Sequence, residues 1–158
     1  MTSEKHLESL QRAIAQIRIA DHMIYVTYPV IKDKRLLLKT IDHIYEALIL
    51  TINSILQYDF LNRRINLYKN NPQENFEIFI QKCARRYNIT PEELNELQEV
   101  LAIVESHKKS PMEFLRKEQV VILSESLKTT LIDAEKLKKY LGLAKKLVEK
   151  TRFGFGIG

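Results

Sequence analysis

Two aspartate-histidine pairs, Asp21-His22 and Asp42-His43, are the first candidates for chemistry in this sequence. Carboxylates and imidazoles serve as metal ligands and as acid-base groups. Neighbouring residues on a helix, however, point about 100° apart, and carboxylate sites in helical bundles instead place Glu and His three residues apart on one face. We therefore interpret both pairs as polar groups of a core or an interface, and we predict no metal site and no cofactor.

Cys83 is a second candidate, because a thiolate is a strong nucleophile. It lies on the apolar side of a predicted helix without a histidine in a recognisable arrangement, where a thiol usually packs. The sequence also contains no glycine-rich phosphate loop, no Gly-x-Ser-x-Gly motif and no Cys/His cluster with zinc spacing. We predict no catalytic residue, which favours a non-catalytic protein without excluding an enzyme.

The candidate binding surface is a row of basic residues in the last predicted helix. The net charge is +5, and the segment from Lys108 onward holds 12 Lys/Arg against 6 Asp/Glu. The row consists of Lys138, Lys139, Lys145, Lys146, Lys150 and Arg152. It could neutralise the phosphates of RNA or DNA. A solvated helix face is the competing interpretation, because no aromatic stacking platform accompanies the lysines. A second basic group comprises Arg63, Arg64, Lys69, Lys82, Arg85 and Arg86.

Capping residues and prolines mark the elements that must position these groups. Asn71-Pro72, Thr90-Pro91 and Ser110-Pro111 each precede a glutamate, a combination typical of helix starts. Pro29 is expected to push Tyr28 out of helical geometry and to bend or break the first helix. Asp33 can cap the second. We predict a mainly α fold, a bundle of about five helices over residues 3–26, 34–59, 71–87, 90–109 and 133–150.

The segment 119–132 has two interpretations. Val120 to Leu123 and Thr129 to Ile132 are rich in β-branched residues, which predicts a short β-hairpin. A continuous helix is the alternative, because no glycine marks a turn.

The length and composition predict one helical-bundle domain over residues 1–152, followed by an apolar, glycine-rich tail over residues 153–158. The tail could dock on a partner, pack on its own domain or be disordered. Charges interrupt the most apolar stretch, so we expect no membrane span. A single cysteine and a polar N-terminal segment favour the cytoplasm.

The aliphatic run Tyr45 to Leu56 and the closing segment Tyr140-Leu141-Gly142-Leu143-Ala144 resemble the HEPN superfamily of helical bundles. The resemblance implies a bundle of four or five helices that commonly dimerises, and many such proteins are ribonucleases or toxins or bind nucleotides. Active members carry an arginine, four to six intervening residues and a histidine. Arg18 and His22 are separated by three residues and Arg35 and His43 by seven, so neither pair fits.

We therefore predict a HEPN-like, non-catalytic interaction or assembly module that binds RNA or a partner protein. A homodimer through the first two helices is expected, because the second helix is apolar over more than half of its circumference. The alternative is a HEPN-type ribonuclease or toxin-like enzyme with a non-standard site formed by Arg18, Asp21, His22 and His43. A third hypothesis is contact of the last helix with an anionic membrane surface.

Overall fold

The computed structural model describes residues 4–66, 71–109, 112–116, 119–123 and 129–157. The helices are α1 (Lys5–His22), α2 (Tyr28–Ile31), α3 (Arg35–Leu61), α4 (Pro72–Ile78), α5 (Pro91–Lys109) and α6 (Ala134–Gly154). The strands are β1 (Met112–Arg116), β2 (Gln119–Leu123) and β3 (Thr129–Ile132). The predicted mainly α helical bundle is confirmed.

The first helix does not break at Pro29. A π-helical segment, Met23–Thr27, joins α1 to α2, and Tyr28 keeps helical angles of φ −61° and ψ −44°. The wider turn resets the hydrogen-bond register, so that Pro29 occupies the first turn of α2, where no amide donor is needed. The expectation that Tyr28 leaves helical geometry and the helix breaks there is therefore wrong, and the chain leaves the helical path only after Ile31, at Lys32, which adopts the left-handed conformation.

The central helix α3 is covered by neighbours from the same chain. It packs mainly against α1 and also contacts α6 and α5. Its fully buried side chains include Leu37, Ile41, Ile44, Leu48, Ile55 and Leu56. These contacts within the chain cover much of the wide apolar surface of this helix, for which the sequence predicted coverage by a second copy as well.

Four helix starts follow the predicted capping chemistry. The side chains of Asp33, Asn71 and Asp133 each accept a backbone N–H of the first turn that follows, at 2.8 to 3.0 Å in their shortest contacts. Thr90 and Glu93 form a reciprocal capping box at the start of α5. After α4 the chain continues through a π-helical segment, Phe79–Cys83, and a 3₁₀ turn, Ala84–Tyr87.

The predicted hairpin within 119–132 is present, since β2 and β3 pair antiparallel with Val120 opposite Ile132. A third strand, β1, pairs with β2 on the other side, with Met112 opposite Leu123. The helix start predicted at Ser110-Pro111-Met112-Glu113 is therefore wrong over Met112 and Glu113, while its first two residues lie outside the described ranges. Pairing with a β-branched strand outweighs the local capping signal here.

The last helix continues to Gly154, past the predicted end near Lys150. Phe153 and Gly154 therefore lie in the last turn of α6. Phe155, directly after the helix, lies 4.2 Å from the ring of Tyr58 and 5.0 Å from that of His6, measured between ring centroids. Of the alternatives for this segment, packing on its own domain describes Phe155, while Gly158 lies outside the described ranges.

Candidate functional site

The six predicted nucleic-acid-binding residues all lie on α6, whose opposite side, including Leu137, Tyr140, Leu141 and Leu147, is buried in the bundle. Successive helical positions bring the six to the outward side of the helix. Two acidic residues, Glu135 and Glu149, share that side. The surface therefore has both signs of charge, with a cationic excess.

At the N-terminal half of α6, two of the lysines are engaged by other groups. Lys145 Nζ lies 2.6 Å from Asp21 Oδ1, and Lys138 Nζ lies 3.3 Å from Glu135 Oε1. Both ammonium groups also lie over the ring of Tyr25, at 5.9 and 5.2 Å from its centroid. These contacts join α6 to the first helix and reduce the charge that the pair offers to a ligand.

At the C-terminal half, Lys150 binds within the chain. Its ammonium group donates to Glu93 Oε1 at 2.5 Å and to the carbonyl of Asn88 at 2.7 Å. Arg152 is only distantly paired, with 3.9 Å to Glu149. Lys139 and Lys146 are exposed and form no ion pair or hydrogen bond with any part of the chain that the structure describes.

This arrangement lowers the pKa of the Glu93 carboxyl. Burial alone would raise the pKa of its carboxyl, but the Lys150 ammonium and the Thr90 amide together lower the pKa below its usual value of 4.5. Lys150 therefore stabilises the start of α5 as well as contributing to the basic surface.

A second polar cluster centres on Asp59, near the end of α3, and sequence reasoning missed it. The carboxylate is fully buried and accepts hydrogen bonds from Arg86 at 2.9 Å, Arg64 at 3.2 Å and the Tyr87 hydroxyl at 2.8 Å. The Cys83 thiol lies near enough to the carboxylate for the charge of Asp59 to affect its pKa. These partners lie 5 to 28 residues away in sequence, so no local motif indicated the cluster.

The raised pKa values in this cluster indicate a structural and not a catalytic role. Burial, followed by the nearby Asp59 charge, raises the pKa of the Cys83 thiol to about 12 and raises that of the Tyr87 hydroxyl as well. A thiol with that pKa stays protonated at neutral pH and is a poor nucleophile. The cluster fixes Arg86 and Tyr87 in place at the rim of a cleft.

That cleft, of about 470 Å³, is lined by Arg86, Tyr87, Asn88, Glu149, Lys150, Phe153 and Gly154. Arg86 comes from the second basic group and Lys150 from the α6 row, so the two groups adjoin here; Lys69 of the second group lies outside the described ranges. Phe153 is 77% exposed. Phe153 lies in the last turn of α6 and therefore places one exposed aromatic ring beside the basic row.

The residues of the alternative ribonuclease site have separate partners. Asp21 pairs with Lys145, His22 with Thr27 at 3.2 Å, and His43 with Gln16 at 2.6 Å. No hydrogen bond or ion pair within the described ranges joins any two of Arg18, Asp21, His22 and His43. Across the same ranges, no group of three His, Cys, Asp or Glu residues is arranged to hold a metal ion.

Apolar side chains are exposed near the end of the continuous helical segment formed by α1, Met23–Thr27 and α2, which we call the α1–α2 arm. Four side chains within seven residues are half exposed or more: Tyr25 (50%), Val26 (52%), Val30 (81%) and Ile31 (61%). We refer to these four residues as the apolar corner. Exposed apolar side chains close together in one segment are candidates for an interaction site, although the Tyr25 ring also lies under the Lys138 and Lys145 ammonium groups.

Comparisons with known proteins do not extend this description: no family model matches the chain, and neither does any curated protein or solved structure. Among the described residues, no helix has the length and apolar character needed to cross a membrane.

Proposed function

We propose that this protein is a non-catalytic interaction module that assembles as a homodimer through the apolar corner. The observation that supports it is the exposure of Tyr25, Val26, Val30 and Ile31 at the end of the α1–α2 arm. Burying such side chains is the main favourable term in association. A HEPN-like class and a cytoplasmic location are part of the same proposal.

A second copy of the chain is the occupant that the rim of the corner suits best. The rim carries both signs of charge: Lys32 is exposed, Asp33 pairs with Arg35 at 2.7 Å, and Asp21 pairs with Lys145. Two copies related by a twofold axis can set acidic groups of one against basic groups of the other. A purely cationic rim would instead favour a polyanion.

The size of the corner predicts a weak dimer. Stable interfaces bury about 800 Å² on each partner, which exceeds the area that four side chains provide. We expect the interface to extend along α1 to Ile19, which is also exposed. A dissociation constant on the order of micromolar is expected for such an interface.

Sedimentation equilibrium over a range of protein concentrations tests the proposal. We expect the mass of the wild-type chain to rise with concentration from 18.6 kDa toward twice that value. Val30→Asp should keep the monomer mass, because an exposed position tolerates the change while the interface does not. Ile157→Asp, at an exposed apolar residue elsewhere, is the matched control and should leave dimerisation unchanged.

Two results would contradict the proposal. A wild-type mass that stays at the monomer value up to millimolar concentration would rule out the dimer. A dimer that Val30→Asp and Ile31→Asp both leave intact would place the interface elsewhere.

A further inference from the structure

We propose that the cleft at the C-terminal end of α6 binds single-stranded nucleic acid, with a base stacked on Phe153 and a phosphate held by Arg86 and Lys150. The inference is independent of dimerisation, because the cleft and the apolar corner share no residue.

The first argument is the exposed aromatic ring. Phe153 lines the cleft although 77% of its surface is exposed, so its own domain buries little of the ring. Base stacking on an aromatic side chain tolerates any sequence and gives much of the affinity of single-strand binders. An exposed phenylalanine beside two cations is the arrangement that such recognition requires.

The second argument is the rigidity of the cations. One guanidinium nitrogen of Arg86 is bound to the buried Asp59 carboxylate at 2.9 Å, while the side chain remains partly exposed toward the cleft. The Lys150 ammonium group is fixed by Glu93 and by the carbonyl of Asn88. Both groups are held before a ligand arrives, so binding loses less side-chain entropy than it would with free lysines, while their partners Asp59 and Glu93 reduce the charge that they offer to a phosphate.

The third argument is the charge that continues from the cleft. Lys146 lies one helical turn before Lys150 and is exposed, and Lys139 lies two further turns along the same side. They can neutralise successive phosphates of a bound strand. Glu149 also lines the cleft and would repel a phosphate, which assigns the phosphate to the Arg86 and Lys150 side and the base to the Phe153 side.

The test uses the fact that the chain contains no tryptophan. Phe153→Trp introduces the only tryptophan at the proposed stacking position, and Tyr25→Trp places one beside Lys138 and Lys145, away from the cleft; excitation at the red edge of the absorption band avoids the seven tyrosines. Each variant is titrated with an unlabelled 12-nucleotide poly-U strand at low and near-physiological salt. We expect the strand to quench the fluorescence of Phe153→Trp saturably, more weakly at higher salt, and to change that of Tyr25→Trp little.

Fluorescence anisotropy of the labelled strand gives the affinity of the remaining variants. Phe153→Ala should weaken binding at least about fivefold, the lower end of the loss for a stacking aromatic, whereas Ile157→Ala should leave it unchanged. Circular dichroism of Phe153→Ala confirms that the fold is intact, as an exposed position predicts. Titration of Phe153→Trp with uridine monophosphate tells whether a free nucleotide also binds in the cleft. Quenching of this variant by the strand, with or without quenching by the nucleotide, supports the proposal.

Three outcomes would overturn it: no binding of the strand at low salt, binding that Phe153→Ala does not weaken, or quenching of the Tyr25→Trp variant in place of the Phe153→Trp variant. The last would assign the strand to Lys138 and Lys145. The Phe153 outcomes do not depend on the mass measurements that test the homodimer. Because Tyr25 belongs to the apolar corner, the Tyr25→Trp titration is made at a protein concentration below the dimerisation range, so the two proposals can fail separately.

Discussion

At the residue scale, Gly154 is the position where the absence of a side chain matters most. A Cβ added there would overlap the ring of Tyr87, whose hydroxyl donates to Asp59. We expect Gly154→Ala to lower the free energy of unfolding by about 1–3 kcal/mol, the usual cost of overpacking. Gly142→Ala is the control, because a Cβ at that helical position meets nothing within 4 Å; it should raise stability by about 0.5–1 kcal/mol. Urea unfolding followed by circular dichroism measures both, and equal effects would contradict the assigned contact.

Within the described residues, the buried Asp59 carboxylate accepts hydrogen bonds from three side chains. Asp59→Asn removes the charge that holds Arg64 and Arg86 and leaves the Tyr87 hydroxyl with a weaker acceptor. We expect a loss of about 2–3 kcal/mol in the free energy of unfolding, as for other hydrogen bonds to a buried charge. Asp33→Asn keeps a side-chain acceptor for the Arg35 amide and loses only an exposed ion pair, so a smaller loss is expected. A loss at Asp33 as large as that at Asp59 would contradict this account.

The sequence could not indicate the Asp59 cluster. A single aspartate near the end of a predicted helix has no distinguishing spacing, and Arg86 and Tyr87 lie 27 and 28 residues away. Cys83, by contrast, was assigned correctly to packing from its place on an apolar helix side, and it is buried. Residue type and period identify burial, but the partner of a buried charge depends on tertiary contacts.

At the scale of elements, Lys150 links α6 to the start of α5. We expect Lys150→Ala to lower the free energy of unfolding by about 1–2 kcal/mol, because Glu93 and the Asn88 carbonyl both lose a donor. Lys146→Ala, one turn earlier and exposed, should change it by less than about 0.5 kcal/mol. A double-mutant cycle with Glu93→Gln measures the coupling between the two side chains. An absence of coupling would show that the ion pair contributes nothing.

Helix starts were the elements most open to prediction. Asn71, Thr90 and Asp133 cap where the sequence indicated, since a cap depends on residues within one turn. Pro29 and β1 were mispredicted for the opposite reason. Pro29 follows a π-helical turn, and β1 pairs with a neighbouring strand. Neither feature can be read from the few residues around Pro29 or around Pro111.

At the scale of the whole molecule, four aromatic side chains join segments from both ends of the chain. His6 from α1, Tyr58 from α3, Tyr87 from the 3₁₀ turn and Phe155 after α6 have ring centroids within 4.2 to 6.0 Å of a neighbour in the group. The length of the sequence predicted one domain, but nothing in the sequence predicted that these four aromatic side chains pack together. The residues involved are separated along the chain by up to most of its length, and no periodic pattern connects them.

Because His6 is buried among these aromatic side chains, we expect the stability of the protein to depend on pH. Burial lowers the pKa of His6 below its usual 6.5, against a smaller opposing effect of Glu4. Below pH 6.5 His6 is protonated in the unfolded chain but stays largely neutral in the folded chain. The free energy of unfolding should therefore fall as the pH decreases from 7 toward 5.5. His6→Phe keeps an aromatic ring against Tyr58 and Phe155 but cannot titrate, and it should flatten this part of the pH profile. His22→Gln, at an exposed position, should keep the wild-type slope. Urea unfolding at each pH measures the slope of the free energy of unfolding against pH. An unchanged slope in His6→Phe would mean that another histidine causes the pH dependence. A flattened slope identifies His6 as the group whose protonation weakens the packing of these four aromatic side chains.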